Sequence, residues 1–449
     1  MKRVIKRAVS FVLVFMTVFS VFTILPSEVF HTAYVKAAEM FSSETGAGAQ
    51  ETYTTDDFTY TLIDEYSKVQ ILSYIGSDAD VVIPDRIDNK KVTSIADSAF
   101  REKSITSVVF GQYVESIGNY AFYSCQSLNK LDFSKSSVKT IGNYAFTVCK
   151  SLESIEFPDS LESIGYCAFS CYRGGTYSTY VASNLKSVKF GSGLKTIGNY
   201  AFYGNRSLET VQFSGENLTS IGEDAFRDCM ALTKLNLTGN DAVICARAFY
   251  NNDALKEVTL SGVKTIGYNA FGGDDALKSA DLGEGLISID SYAFQSCSNL
   301  ETVSLPESLT TINSYAFQSC SKLTSIDIPN KVTKIDDNTF TNCSSLKNVS
   351  IGSGCTSIST VAFINAYSID EITVAEDNKN FTSVDGVLYN KDKTTLVLYP
   401  KNRAGEFVVP DTVTSIADYA FDNAPKLTKV TIGENVKSVG TGAFRNCNS

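Results

Sequence analysis

Between residues 300 and 322 the chain sets short apolar islands among runs of Ser, Thr, Glu and Asn. The apolar positions are Leu300, Val303, Leu305, Leu309, Ile312, Ala316 and Phe317. Val303 and Leu305 are two apart, so in an extended segment they share one face while Thr302 and Ser304 share the other. Pro306 ends that strand, because it has no N–H to give to a ladder. The chain then turns, runs past Leu309 and Ile312, and returns through Ala316 and Phe317. Alanine keeps the backbone close where the phenylalanine ring fills the centre of the coil.

This pattern recurs. An Ile-x-x-x-Ala-Phe string puts phenylalanine at 100, 122, 146, 169, 202, 226, 249, 271, 294, 317, 340, 363, 421 and 444, with Val439 and Thr339 as the two departures from it. A period near 23 residues, held for so long, specifies stacked coils rather than independent globules. One coil cannot stand alone. Its seven buried side chains contribute on the order of 10–15 kcal/mol, against about 25–45 kcal/mol of backbone entropy for ordering the unit. The predicted fold is a β-rich solenoid: a right-handed coil of about 15 units with a parallel sheet along one face. Phe122, Phe146, Phe202, Phe226, Phe294, Phe317 and Phe340 are its expected core.

Two interruptions break the rhythm. The interval from Phe169 to Phe202 is ten residues too long, and the excess falls at residues 172–183, with Tyr172, Arg173, Tyr177 and Tyr180 around two glycines. Insertions in solenoids map to one face, often the binding face. This one is either an adaptable contact loop or a tolerated surface insertion. Between Phe363 and Phe421, residues 384–389 align with the usual Ile-x-x-x-Ala-Phe, and the Asp385-Gly386 turn signal predicts a variant hairpin unit over 381–410. The resulting organisation is an N-terminal β cap at 58–92 and a solenoid over 93–449.

The residue between the two inward strand positions faces out in every coil. That column reads Val109, Asp132, Glu156, Lys189, Gln212, Asn236, Thr259, Asp281, Ser304, Asp327, Ser350, Thr373 and Thr431. It has no aromatic ring on which a sugar could stack, so it suits a protein or basic peptide, or is simply solvated. The candidate partner-binding residues are therefore Asp132, Glu156, Lys189, Asp281 and Asp327, with Tyr172, Arg173, Tyr177 and Tyr180 of the insertion. A second column, two residues before the repeat Phe, holds Tyr120, Tyr144, Tyr200, Tyr292, Tyr315 and Tyr419. Its rings either pack half-buried along the turn edge or form a strip that grips a partner.

Seven of the eleven cysteines (Cys125, Cys149, Cys229, Cys297, Cys320, Cys343 and Cys447) stand three residues after a repeat Phe, where other units hold Asn205, Asn252, Asp274, Ala366 or Ala424. Cys alternating with Asn at one slot reads as a ladder of small, semi-buried groups. Side-by-side parallel vectors disfavour disulfides between rungs, although an exported chain leaves a few disulfides open. No CxxC pair is present.

Composition narrows the chemistry. Hydrophobic residues are 43% and charged residues 20%, with 39 basic against 49 acidic side chains for a net charge of −10. That balance argues against holding nucleic acid or anionic lipid through net charge. Lys2, Arg3, Lys6 and Arg7, followed by an apolar run over 8–25 and small residues at Val35 and Ala37, read as a signal peptide, residues 1–37, cleaved after Ala37. A retained anchor is the alternative. Cleavage takes the net charge to −14 and removes His31, the sole histidine, so the mature chain has no histidine for acid–base, triad or metal chemistry. Residues 38–57 follow as a Ser/Thr/Gly/Glu-rich flexible stem. The acid pairs Asp274-Asp275 and Asp336-Asp337 are expected at solvent-facing turn positions, and residues 376–378 lack calcium-loop spacing. No catalytic, metal or cofactor-binding residue is assigned.

The string Ile117-Gly118-Asn119-Tyr120-Ala121-Phe122-Tyr123-Ser124-Cys125 resembles the I-G-x-x-A-F-x-x-C repeat of the BspA-type bacterial surface leucine-rich-repeat proteins, and residues 300–305 carry the leucine-rich-repeat spacing. The resemblance covers residue 58 to the end. It implies an exported, surface-displayed scaffold with no shared catalytic residues, some relatives acting as adhesins toward host matrix or microbial proteins. The expected function is a non-enzymatic recognition scaffold, secreted or at the cell surface, that binds a protein ligand of host or microbial origin. It needs no cofactor, nucleic acid or membrane insertion. The alternative is a structural, self-assembling surface component that associates end to end through the strand at residues 430–432.

Overall fold

A computed structural model describes residues 51–173 and 179–449. The stretch expected to be an export signal at 1–37, the expected stem as far as residue 50, and residues 174–178 with Tyr177 lie outside the described residues.

Residues 52–171 and 181–449 form a β-solenoid in which each coil has three sides. The first side is the strand that the alternation predicts. Asp80–Val82, Ser107–Val109 and Lys130–Asp132 pair in parallel, as do Ser154–Glu156, Ser187–Phe190 and Thr210–Phe213, and the series continues to Glu371–Val374. The second side is a further parallel ladder that the sequence reading, with its single sheet, did not contain. It is built from the dipeptides before the repeat glycine, such as Ser116–Ile117, Thr140–Ile141, Ser163–Ile164 and Thr196–Ile197, with every isoleucine in register. A two-residue strand offers no alternation to read.

The third side is the turn that carries Ala-Phe. In one regular coil Tyr120 (φ 56°) and Ser124 (φ 60°) are left-handed, on either side of Phe122. Side chains other than glycine visit this region at a cost. Here it aims alternate N–H groups at the next coil: Tyr120 to the Asn143 oxygen at 2.9 Å, Phe122 to Ala145 at 2.7 Å and Ser124 to Thr147 at 2.9 Å. The turn backbone is thus satisfied between coils.

The repeat rings form one continuous stack. From Phe100 to Phe363 successive centroids are 4.6–5.7 Å apart with planes within 14°. The ten-residue insertion leaves no gap, since Phe169 and Phe202 are 5.2 Å apart. At the N-terminal end the hairpin of Phe58–Ile63 with Lys68–Tyr74 closes the stack, with Tyr74 lying on Phe100 at 5.4 Å. Thr52–Thr54 pairs with that hairpin, so strand structure begins inside the stretch read as a stem.

Beyond Phe363 the stack stops and a second core begins. Phe381–Val384 and Val387–Asn390 form a hairpin about Asp385 (φ 50°) and Gly386 (φ 75°). Residues 384–389 do not replace an Ile-x-x-x-Ala-Phe turn. Tyr399 takes the ring position, stacking on Phe421 at 4.9 Å and giving its N–H to Ala420 at 2.9 Å, while Leu396 pairs in register with Ile416. The polar-looking Tyr-Pro context hides this substitution in the sequence.

Residues Tyr172–Arg173 and Thr179–Tyr180 pair antiparallel as a hairpin of their own, Tyr172 opposite Tyr180 and Arg173 opposite Thr179.

Candidate functional site: the strand face

The parallel register turns the outward column into a row. Val109 stands beside Asp132; Glu156 beside Lys189 and Gln212; Asn236 beside Thr259, Asp281 and Ser304; Asp327 beside Ser350 and Thr373. Their inward neighbours, Val188, Leu235, Val258, Ile326 and Val349, are buried. The strand pleat alone decides which residues a partner can touch.

The five candidate charges on this row differ in what they have left to offer. Lys189 donates to Glu156, so that pair is mutually neutralised. Asp132 accepts the Ser134 N–H at 3.0 Å, and hydrogen bonds from Ser134 hold its carboxyl below the usual carboxylate range. Asp281 accepts the Gly283 N–H at 3.3 Å. The Asp327 carboxylate, exposed beside Ser350, has no side-chain hydrogen bond or ion pair among the described residues. Asp132, Glu156 and Lys189 lie on consecutive coils, whereas Ser304 separates Asp281 from Asp327. Beside Asp327 a groove of about 310 Å³ opens where strands give way to turns.

The tyrosine column is half-buried and stacked on itself. Tyr120 and Tyr144 are 4.8 Å apart at 9°, Tyr292 and Tyr315 4.7 Å apart at 5°. Within these two pairs each ring covers its neighbour's face, whereas Tyr166 meets Tyr144 and Tyr200 tilted at 59° and 56° and Tyr268 meets Tyr292 edge-on at 62°. Burial pushes the Tyr200 hydroxyl up to about 12. Midway the slot passes to Asp224 and Arg247, joined by Nε to Oδ1 at 3.0 Å and Nη2 to Oδ2 at 2.8 Å, with Arg227 set between the rings of Tyr203 and Tyr250.

All eleven cysteines are free thiols. Those in the shared slot donate to the carbonyl oxygen of the preceding coil's phenylalanine: Cys125 to Phe100 at 3.0 Å, Cys297 to Phe271 at 3.1 Å, Cys320 to Phe294 at 3.2 Å. Asn205 does the same toward Phe169 at 3.0 Å, which is why Cys and Asn alternate there. Burial raises these thiols, Cys125 and Cys343 to about 12.

The same slot corrects the reading of Asp274. Rather than facing solvent it is fully buried, and its Oδ1 accepts the Asn252 N–H at 2.8 Å. Asp275 beside it is exposed as expected. No group of three or more His, Cys, Asp or Glu among the described residues is arranged to hold a metal ion, and none of their helices is long and apolar enough to cross a membrane.

The BspA type leucine rich repeat region matches at residues 93–179, 175–281, 264–390 and 399–449, well over half of the chain. The chain belongs to the BspA-type leucine-rich-repeat family. Its fold is that of a leucine-rich repeat protein from Bacteroides ovatus (21% identity, TM-score 0.57), with 88% of this chain and 92% of that one aligned. A leucine-rich repeat protein from Eubacterium ventriosum is 31% identical over 43% of this chain and 52% of its own, with TM-score 0.40. A leucine rich cell surface protein from Faecalibacterium prausnitzii is 23% identical over 86% and 96%, with TM-score 0.42. No curated protein matches the sequence.

Proposed function

We propose that this BspA-type chain is an exported, non-enzymatic recognition scaffold, displayed at the cell surface and binding a protein ligand across its strand face. The observation that carries this reading is the outward column from Val109 to Thr373, held in parallel register within four runs of coils. It is a polar surface on a rigid support, and its side chains are held at the ladder spacing before any partner arrives. Membership of a family with a cell-surface relative, together with the basic-then-apolar N-terminus, supports export.

The test is equilibrium binding of a ligand captured from host and microbial surface extracts, measured with the native chain and with Glu156→Lys, Asp281→Lys and Asp327→Lys. Each reversal sits at an exposed position and leaves the fold intact. Saturable binding weakened five-fold or more by at least one reversal supports the strand face. Binding indifferent to all three moves the site elsewhere.

A further inference from the structure

Two regular coils are joined in several ways at once. Between the coils of Phe271 and Phe294 the rings stack at 5.2 Å, the Phe271 N–H reaches the Ala293 oxygen at 2.8 Å, Ile266 pairs in register with Ile289, and Ala280 with Val303. Between the coils of Phe363 and Tyr399 the ring stack and both ladders stop together. Phe363 lies on Phe340 at 5.4 Å, while Tyr399 stacks the other way, on Phe421. Ser357–Ile358 pairs with Lys334–Ile335, and Glu371–Val374 with Asn348–Ile351; among the described residues neither has a parallel partner in the next coil.

The hairpin and a few polar side chains fill this junction. The strand Val387–Asn390 lies antiparallel on Thr395–Leu398 and is buried on both faces, with Leu388 in the larger core and Val387 and Tyr389 in the smaller. Beside it Lys401 donates to the Phe363 oxygen at 2.8 Å, Asn402 to Asp370 at 2.6 Å and Asn423 to Asn365 at 2.9 Å. A buried amine gives up solvation that a phenylalanine ring never had. The smaller core closes around Phe407, Val413, Ile416 and Phe421, and all its members lie between Val387 and Cys447. In a solenoid folding is shared from coil to coil across the interfaces, so cooperativity is interrupted where an interface is poorest.

We propose that residues 381–449 unfold as a unit of their own while the coils up to Val374 stay folded, and that Lys401 on the Phe363 carbonyl is the latch between the two. The outward column from Val109 to Thr373 lies wholly on the side that stays folded. The groups that face the amine are Asp422 at 3.9 Å, Arg445 and Cys447 within the opening unit, and the Phe363 carbonyl on the other side. Burial lowers the amine from its ordinary 10.5 to about 8, so a fall in pH through 8 charges it inside the closed form, at a cost that opening relieves.

The experiment is hydrogen exchange read by mass spectrometry on the exported chain at pH 7 and pH 9, in steps of urea below the main transition. Amides of 405–443 are expected to exchange together, and at lower urea than those of 271–340. Their opening constant, corrected for the intrinsic exchange rate at each pH, is expected to be about ten-fold larger at pH 7 than at pH 9. Lys401→Met removes that difference. Phe294→Ala speeds exchange over 271–317 and leaves 405–443 unchanged, whereas Phe421→Ala speeds 405–443, or leaves 381–449 unfolded on a folded remainder. One urea dependence shared by both segments, or a response of 405–443 to Phe294→Ala in step with 271–317, overturns the separate unit. Equal opening constants at the two pH values in the native chain overturn the latch.

Discussion

Lys401 donates its Nζ to the carbonyl oxygen of Phe363 at 2.8 Å, doing with an amine what a thiol does in the regular coils. It stands where the ring stack breaks and is 1% exposed. Asp422 is 3.9 Å away and is itself held by Arg445 at 2.7 Å. A polar seam therefore separates the two cores, where elsewhere one phenylalanine simply follows another.

Burial lowers the Lys401 amine to about 8; Asp422 opposes the shift, and Arg445 adds to it. Because the folded value is below the unfolded one, the contribution is full above pH 10.5 and is lost as pH falls through 8. The native chain is therefore expected to gain stability relative to Lys401→Met between pH 7 and pH 10, by on the order of 2–3 kcal/mol. Parallel urea titrations of the two proteins at each pH measure it. A difference that stays constant across the range rejects the buried amine.

The thiol ladder predicts a reactivity pattern. Cys125, Cys149, Cys229, Cys297, Cys320 and Cys343 are buried, and burial raises all six. Thiolate is the reactive form, so these six should resist a disulfide reagent at pH 8 until the chain is denatured, while the partly exposed Cys447 reacts first. Cys320→Ala removes one of the two hydrogen bonds on the Phe294 oxygen, which keeps the Cys297 N–H at 3.2 Å, and should cost about 0.5–1.5 kcal/mol, with Cys320→Ser costing less because it keeps a donor. Timed labelling with mass mapping and urea titration read the two effects.

Position in the ring stack sets the cost of losing a ring. Phe294 is fully buried, with rings 5.2 and 5.3 Å away on its two sides, whereas Phe444 is partly buried and meets Phe421 at 4.8 Å. Phe294→Ala should cost about 3–5 kcal/mol and Phe444→Ala less than half of that. In a solenoid each coil is stabilised by its neighbours, so the first variant should also expose flanking amides over 271–317. Hydrogen exchange compares the two.

Much of this was legible before any coordinates. The 23-residue period gives the coil and the Phe column, and the Val303–Leu305 alternation gives the outward row and with it Asp281 and Asp327. The second ladder was hidden, because a strand as short as Ser116–Ile117 has no period. The groove was hidden for a different reason: Pro329, Gly352 and Ala375 are unremarkable one by one and make a depression only when the coils bring them into line. Tyr399 was missed because the ring slot was sought by its flanking motif, and the stack requires only a flat ring at the right height.

Asp274 shows how a shared slot overrides a residue's usual habit, and it gives the sharpest pH test. Its neighbours in the column are Asn252 before it and Cys297 after it, both groups that carry a hydrogen to donate. Asp274 has one oxygen on the Asn252 N–H and the other buried without a partner. Burial pushes its carboxyl well above the usual value, so that in the folded chain it favours the protonated form, the only form able to donate. With the folded value above the unfolded one, its contribution is complete below about pH 4 and is lost as pH rises toward the folded value. Asp274→Asn supplies a permanent donor of the same shape, already used in this slot at Asn205 and Asn252. The variant should melt higher than the native chain at pH 7, by several degrees, and the gap should close as pH falls to 4. Thermal melts at both pH values decide it. A variant that melts lower at pH 7 would mean that the slot needs the carboxylate, and the reading of the column as a row of donors would fall with it.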